Sequence, residues 1–262
     1  MSRNFFVGSV GSALVVLAMA TTALGQQPTQ SQEPGAGRGQ GRGQGPAQGA
    51  RGGGPGRGPV VQPVLVMKED FQREPSAGGG QTPITPGNVS SANLELKVYG
   101  PDAKNLTISG AATGATPINL WTGLATSPIA ATLKDKNNYV DLSGLAKIRW
   151  VTRASAFHVV RPVVKLADGT WLIGDHADSN TTTFLQSEFS LYGLRWVKLD
   201  IDRVVTTGVY GPVGDAASWI EKPDLSKVDE VGFADLMPGT GHGSGGWVNV
   251  GHIEVYGQLV KR

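Results

Sequence analysis

Hydrophobic and polar residues alternate with a period of two in several short stretches of residues 63–262. In the stretch AKIRWVTR, Ile148 and Trp150 fall on one face and Lys147 falls on the other. The stretches RWVKLDID and GHIEVYG repeat this alternation. Because successive side chains of a strand point to opposite faces, the pattern is typical of strands with one buried face.

Turn residues divide the rest of this region into further short strands. We predict them in the stretches NLELKVYG, NLTISG, FHVVRPVVKL, TWLIG, TFLQSEF and VDEVGFAD. Asp168 and Gly169 predict a hairpin turn, and Pro162 predicts that its strand lies at a sheet edge or carries a bulge. No stretch predicts a helix longer than two turns. The pattern therefore indicates an all-β fold, namely an antiparallel β-sandwich or jelly roll.

The residues before this region have a different composition. Arg3 precedes an apolar run at residues 10–20, and small residues lead up to Gly25. These features predict a secretory signal peptide over residues 1–25. The apolar run is shorter than the roughly 20 residues that span a bilayer. We therefore expect a secreted protein, periplasmic or extracellular, with no membrane span.

Residues 26–62 are rich in Gly, Gln, Arg and Pro. Such a segment has little apolar surface to bury, so we expect a disordered linker that acts as a tether. An alternative is that its spaced arginines bind an anionic surface. These are Arg38, Arg42, Arg51 and Arg57. Residues 63–262 are then long enough to form a single β-sandwich domain.

Cysteine content and charge exclude several classes of protein. The chain of 262 residues has no cysteine, which excludes thiolate metal sites, cysteine nucleophiles and iron–sulfur clusters. From residue 59 onward it carries 18 basic and 20 acidic residues. Because nucleic-acid binding needs a clustered excess of Lys and Arg, we expect no nucleic-acid partner.

Several motifs of the predicted domain occur in a recognisable order. Asp-Leu-Ser occurs at residues 141–143 and again at 224–226, a central strand begins at Trp196, and a closing strand runs from Trp247 to Val255. This layout, over about residues 138–257, resembles the galactose-binding-like jelly rolls of carbohydrate-binding modules. It is also similar to the domains typified by complex I intermediate-associated proteins. The resemblance implies a sandwich fold and a carbohydrate ligand, although fold alone does not determine function.

Tryptophan supplies the candidate sugar platforms. We predict that Trp150, which alternates with apolar residues, belongs to the core. Trp196 lies opposite Val197 in its strand, so either it is exposed and stacks on a sugar ring or the second sheet covers it. Other tryptophans fall at predicted strand ends or in loops, where binding groups are often presented. These are Trp121, Trp171, Trp219 and Trp247.

The glycine-rich stretch at residues 239–247 is a further candidate. Its glycines permit close approach to the backbone, and His242 adds a polar group. It lacks the Gly-Lys-Ser/Thr of a phosphate loop, and the chain has no G-x-S-x-G motif to support an esterase. We interpret it either as a sugar-contacting loop or as a structural turn.

The stretch DHADSN follows the predicted strand TWLIG directly. Asp175, Asp178 and Asn180 offer oxygen ligands for a structural Ca²⁺, with solvated turn residues as the alternative. Asp175 and His176 are also candidates for hydrogen bonds to a ligand. Arg161 is a candidate for bidentate contact with sugar hydroxyls or carboxylates. No other cofactor is expected.

The leading hypothesis is a secreted, non-catalytic carbohydrate-binding β-sandwich. Its predicted ligand-binding residues are Arg161, Trp171, Asp175, His176, Trp196, His242 and Trp247. One alternative is a glycan hydrolase or lyase on the same fold, using His176 with Asp175 or Asp178. Another is a partner-binding module without a small ligand, which predicts an exposed apolar patch.

Overall fold

The computed structural model describes residues 61–74, 80–207, 219–220, 222–237 and 245–262. The predicted signal peptide, nearly all of the predicted linker and His242 lie outside these ranges.

The described residues form short strands joined by turns. The strands are β1 (Val64–Glu69), β2 (Thr82–Pro83), β3 (Leu94–Tyr99), β4 (Thr107–Ser109), β5 (Asn119–Trp121), β6 (Ile129–Asp135), β7 (Asn138–Asp141), β8 (Lys147–Ala154), β9 (Arg161–Leu166), β10 (Trp171–Gly174), β11 (Leu185–Ser190), β12 (Trp196–Asp200), β13 (Val205–Thr206), β14 (Val228–Asp235) and β15 (Val248–Lys261). Two 3₁₀ turns, at Pro86–Asn88 and Ala103–Asn105, complete the regular structure of these residues. Within the described ranges, no helix is long and apolar enough to cross a membrane.

The strands form two antiparallel sheets. Sheet 1 has the order β2-β4-β5-β15-β8-β11, with β1 also paired to β15. Sheet 2 has the order β3-β6-β14-β9-β10-β12-β13. The C-terminal part of β15 pairs with β7, which also touches β14, so these strands link the two sheets. The predicted all-β antiparallel sandwich is confirmed.

One apolar core lies between the sheets. It joins Ile148 and Trp150 of β8 to Val164 of β9 and Phe233 of β14. In β8, buried residues alternate strictly with partly exposed ones, which confirms the period of two seen in the sequence. Trp150 is fully buried, so its predicted core position is also confirmed.

Of the two alternatives predicted for Trp196, cover by the other sheet of the sandwich is the one observed. Its side chain is only 1% exposed and belongs to the core between the sheets. Val197 and Leu199, on the opposite face of β12, are also buried, because a second apolar cluster covers the outer face of sheet 2. Lys198, on the same face as Trp196, is exposed, but the Trp196 indole itself is covered and has no surface to offer to a sugar.

The edge position predicted from Pro162 is wrong, and the irregularity in the β9–β14 pairing lies between Val228 and Glu230 of β14, away from Pro162. The hairpin prediction is confirmed. Strand β9 pairs with β10 on one side and with β14 on the other, so it is an interior strand. Pro162 is tolerated because it is the second residue of the strand, beyond the last β10 pair. Gly169 turns the chain between β9 and β10 with a φ of +89°.

The two Asp-Leu-Ser motifs form matching turns that contact each other. In each turn the Ser N–H donates to the Asp side chain, Ser143 to Asp141 and Ser226 to Asp224. The backbone N–H of Leu142 then donates to the carbonyl of Leu225 at 2.9 Å. The motifs that carry the sequence resemblance therefore have a structural role in holding two loops together.

The outer face of sheet 2 is concave. Tyr99 of β3 and Trp171 of β10 meet edge to face with ring centroids 4.8 Å apart, although β6, β14 and β9 separate their strands. Because neighbouring strands lie about 4.8 Å apart, this contact requires a strongly curved sheet. Ala130 and Ala234 lie in the same cluster and leave room for the two rings. Trp171 is therefore packed against the chain's own Tyr99.

A buried carboxylate lies under this aromatic pair. Glu230 of β14 is fully buried and accepts hydrogen bonds from Tyr99 at 2.7 Å, Thr132 at 2.6 Å and Lys165 at 3.1 Å. Burial and the neighbouring Glu230 raise the pKa of Tyr99, so the phenol stays protonated as a donor. The contacts make Glu230 the polar centre of this face.

Candidate functional site

Several connections meet at one end of the sandwich, which we call the loop end. It comprises residues 122–128, 155–161, 175–180, 195, 219–220, 236–237 and 245–247. Strand pairing brings these segments together, because β8 ends where β15 begins and β9 begins where β10 and β14 end.

The buried side chain of Asp235 connects several segments of the loop end. Its carboxylate contacts His158 Nδ1 at 2.7 Å and accepts hydrogen bonds from Thr122 at 3.0 Å and from the backbone N–H of Met237 at 3.1 Å. His158 and Asp235 are each only 1% exposed. One buried carboxylate thus ties together three separate segments of the loop end.

The contact with Asp235 shifts the pKa of His158. Burial disfavours the charged imidazole, but the hydrogen bond and charge of Asp235, with the Gly245 backbone, outweigh it and raise the pKa of His158 above its usual 6.5. Protonated His158 therefore stabilises the folded state. This contribution is complete below the ordinary histidine pKa and is lost as pH rises through the folded-state pKa.

We expect the free energy of unfolding to fall as pH rises above the ordinary histidine pKa of 6.5 and His158 loses its proton. Urea denaturation of the wild type at several pH values above 6.5 measures the slope. The variant His158→Gln is expected to show a smaller slope than the wild type. Equal slopes in the two proteins would contradict the assignment.

The three tied segments also present exposed apolar side chains. Leu124 is 40% exposed, Met237 is 41% exposed and Phe157 is 87% exposed. Phe157 follows Ala156, whose φ of +53° is unusual for a residue other than glycine. Trp247 lies near them, with its backbone bonded to Ser155 and its ring 6.5 Å from that of Trp121.

A second group of side chains at the loop end has the composition of a ligand site. We call it the Asp175 cluster and define it as Arg161, Asp175, Arg195 and Trp219. The carboxylate of Asp175 accepts from the backbone N–H of Arg195 at 3.1 Å and from its Nε at 2.9 Å. The backbone carbonyl of Asp175 accepts from Arg161 Nη1 at 3.3 Å. One residue thus holds two guanidinium groups.

The cluster also displays an indole ring. The guanidinium of Arg195 lies over Trp219, 4.4 Å from the ring centroid, and Trp219 is 37% exposed. Ile220 fixes the position of Trp219 by two backbone hydrogen bonds to Trp196. An exposed indole beside fixed guanidinium donors can contact the C–H face of a sugar and donate to its hydroxyls.

His176 and Asp178 lie next to this cluster along the chain but have structural contacts. The His176 ring stacks on Phe189 with centroids 3.8 Å apart, and its Nε2 lies 3.1 Å from Asp178. Asp178 also accepts from Ser187 at 3.1 Å and from the Trp150 indole. Burial raises the pKa of Asp178, but these hydrogen bonds outweigh it and hold the pKa below its usual value. The pair thus supports the core residue Trp150.

The predicted calcium ligands have separate partners. Asp175 binds Arg195, and Asp178 binds Trp150, His176 and Ser187. No group of three or more His, Asp or Glu side chains that could hold a metal occurs among the described residues. The Ca²⁺ site at Asp175, Asp178 and Asn180 stays a prediction that no contact of these residues supports.

The structure separates the sequence-predicted ligand residues. Arg161, Asp175, His176 and Trp247 lie at the loop end, whereas Trp171 and Trp196 lie in two apolar clusters. His242 is outside the described residues. The structure therefore does not bring Trp171 and Trp196 to the other predicted ligand residues, because their rings pack inside the protein.

Sequence reasoning missed two parts of this end of the molecule. Arg195 carries no recognisable motif, and only the pairing of β10 with β12 places it beside Asp175. His158 and Asp235 are 77 positions apart in the chain. The available signal in the sequence was that each of these ionisable residues lies within an apolar strand pattern. Their contact with each other depends on the tertiary fold.

Comparisons with known proteins add the following. No family model and no curated protein matches the chain. It is similar to the solved family 11 carbohydrate-binding module of the cellulosomal cellulase Lic26A-Cel5E of Clostridium thermocellum, with 14% identity over 71% of this chain and 97% of that one and a TM-score of 0.35. It is also similar to a family 11 module from that organism in complex with a β-1,3-1,4-mixed-linked tetrasaccharide, with 16% identity, 70% and 99% coverage and a TM-score of 0.37.

An exo-β-agarase is a third similar structure, with 10% identity over 71% of this chain and 25% of that one and a TM-score of 0.35. These TM-scores are low, so the fold description rests on this chain's own strand pairing. That pairing defines an antiparallel β-sandwich.

Proposed function

We propose that this protein is a secreted, non-catalytic carbohydrate-binding module that holds its ligand at the Asp175 cluster. The observation that carries the proposal is the exposed Trp219 indole, which lies beside two guanidinium groups held by Asp175. Sugar sites combine an aromatic surface for the C–H face with polar groups placed for the hydroxyls. The cluster has both on a rigid β scaffold.

The scaffold keeps these groups in place. Arg195 directly precedes β12 and Arg161 begins β9, so both side chains start from interior strands of sheet 2. Asp175 directly follows β10, which lies between those two strands. Little conformational entropy is lost when a ligand meets side chains that are already ordered, and this favours binding.

Catalysis by His176 is the weaker alternative. Its ring is stacked on Phe189, and its Nε2 lies within hydrogen-bonding distance of Asp178, which also holds Trp150. These contacts favour a supporting role in the core. The partner-binding alternative draws on the exposed Leu124, Phe157 and Met237 of the loop end.

The test measures binding of the full chain to a panel of plant, microbial and host polysaccharides. We expect Trp219→Ala to weaken binding about tenfold or more, which corresponds to about 1.4 kcal/mol of lost stacking. The matched control is Tyr192→Ala, because Tyr192 is an exposed aromatic residue at 78% on a different loop. It is expected to bind as the wild type does.

Two results would contradict the proposal. If the wild type binds no polysaccharide, the protein is not a carbohydrate-binding module of this kind. If it binds but both tryptophan and tyrosine variants retain full affinity, the ligand lies elsewhere on the molecule.

A further inference from the structure

Arg161 differs from four arginines of the described residues in its partners, and Arg153 is like it in forming no ion pair with a carboxylate of those residues. Arg149, Arg195, Arg203 and Arg262 each form an ion pair with a carboxylate. Arg161 instead donates from Nη1 to the backbone carbonyl of Asp175 at 3.3 Å, and no carboxylate of the described residues forms an ion pair with it.

The surroundings of Arg161 leave its charge uncompensated. The carboxylate of Asp175 is already engaged by Arg195 through two hydrogen bonds. Among the four side chains of the Asp175 cluster, two cations therefore share one anion. Arg161 is also half-buried, so water compensates its charge less well than it does for a fully exposed arginine.

A ligand carboxylate matches this arrangement chemically. The guanidinium is a planar group of five N–H donors whose spacing fits a carboxylate in bidentate contact. Arg161 uses one donor for Asp175, which leaves the others for a ligand. A neutral sugar hydroxyl would accept a hydrogen bond but would leave the excess positive charge in place.

We propose that the Asp175 cluster binds an acidic saccharide and that Arg161 pairs with its uronic acid carboxylate, while the Trp219 indole contacts a sugar ring. This inference rests on the proposed function and specifies its ligand class. The cation supplies the preference for charge, and the indole supplies affinity that does not depend on charge.

The experiment compares polyuronates, such as polygalacturonate and alginate, with their carboxyl-reduced neutral forms on the full chain. The wild type is expected to bind at least one polyuronate about tenfold or more tightly than its reduced form, as loss of a charged hydrogen-bonded contact predicts. Arg161→Gln is expected to abolish that ratio. Arg161→Lys, which keeps the positive charge but not the planar bidentate guanidinium, is expected to retain part of that ratio.

Arg203→Gln is the matched control, because Arg203 is exposed and pairs with Asp200 in the turn after β12. It is expected to preserve the ratio. Thermal unfolding of each variant identifies any loss of folding, and Arg161→Lys provides the second readout if Arg161→Gln is unstable. A wild type that binds the acidic and reduced forms equally overturns this inference and leaves the proposed function standing. A wild type that binds no polysaccharide overturns both.

Discussion

Replacing Trp196 by alanine is expected to lower the free energy of unfolding by about 3–5 kcal/mol. The indole is 1% exposed and packs in the core between the two sheets. Its removal leaves a cavity. Strand pairing on both sides of Trp196 holds the backbone in place and keeps the cavity open, because β12 pairs with β10 and Trp196 pairs with Ile220. Chemical denaturation of the wild type and the variant measures the difference.

The matched control for this prediction is Trp219→Ala. Trp219 is a tryptophan of the same region but is 37% exposed, so its removal is expected to change stability by less than about 1 kcal/mol. A Trp196→Ala variant as stable as the wild type would show that the indole does not fill the core. The pair of variants thus separates a packing tryptophan from a ligand-binding one.

The second large loss of stability is expected when Glu230 is replaced. The variant Glu230→Ala removes an acceptor shared by Tyr99, Thr132 and Lys165. It leaves the buried Thr132 hydroxyl and the half-buried Tyr99 and Lys165 without this acceptor, and we expect a loss of about 1–3 kcal/mol of stability. Urea denaturation at constant pH is the measurement.

Glu95→Ala is the control on the same sheet. Glu95 lies on the edge strand β3, its side chain is 51% exposed, and its ion pair with Lys97 is long at 4.0 Å. An exposed pair of this kind contributes about 0–1 kcal/mol. If both glutamate variants lost the same small amount of stability, the network around Glu230 would have no special role.

Local sequence pattern was sufficient for elements whose environment repeats along the chain. The alternation of Ile148 and Trp150 with Lys147 survived into the fold because one face of β8 packs on the core and the other meets solvent. The same alternation held in β12 from Val197 to Asp200, where Lys198 is exposed, and Trp196 is the residue that departs from it. Val197, Leu199 and Trp196 are all buried there, because one face meets the core and the other meets the second cluster on sheet 2.

The candidate site was predicted in part for a related reason. Asp175 was identified because it directly follows the predicted strand TWLIG, and Arg161 because it precedes a proline within the predicted strand FHVVRPVVKL. Hairpin pairing of β9 with β10 places the two residues together. Arg195 was missed because its position depends on a third strand, β12. Trp171 was assigned to the ligand because its covering residue, Tyr99, comes from a distant strand.

The sequence by itself determined the β character of this protein, its turns and the chemical groups available to a ligand. These depend on residues within a few positions of each other, where backbone geometry and side-chain alternation decide. Only the tertiary structure decided which tryptophans are exposed and that Arg161 has no carboxylate partner among the described residues. Burial and charge compensation are set by strands far apart in the chain, so the alternation of hydrophobic and polar residues does not reveal them.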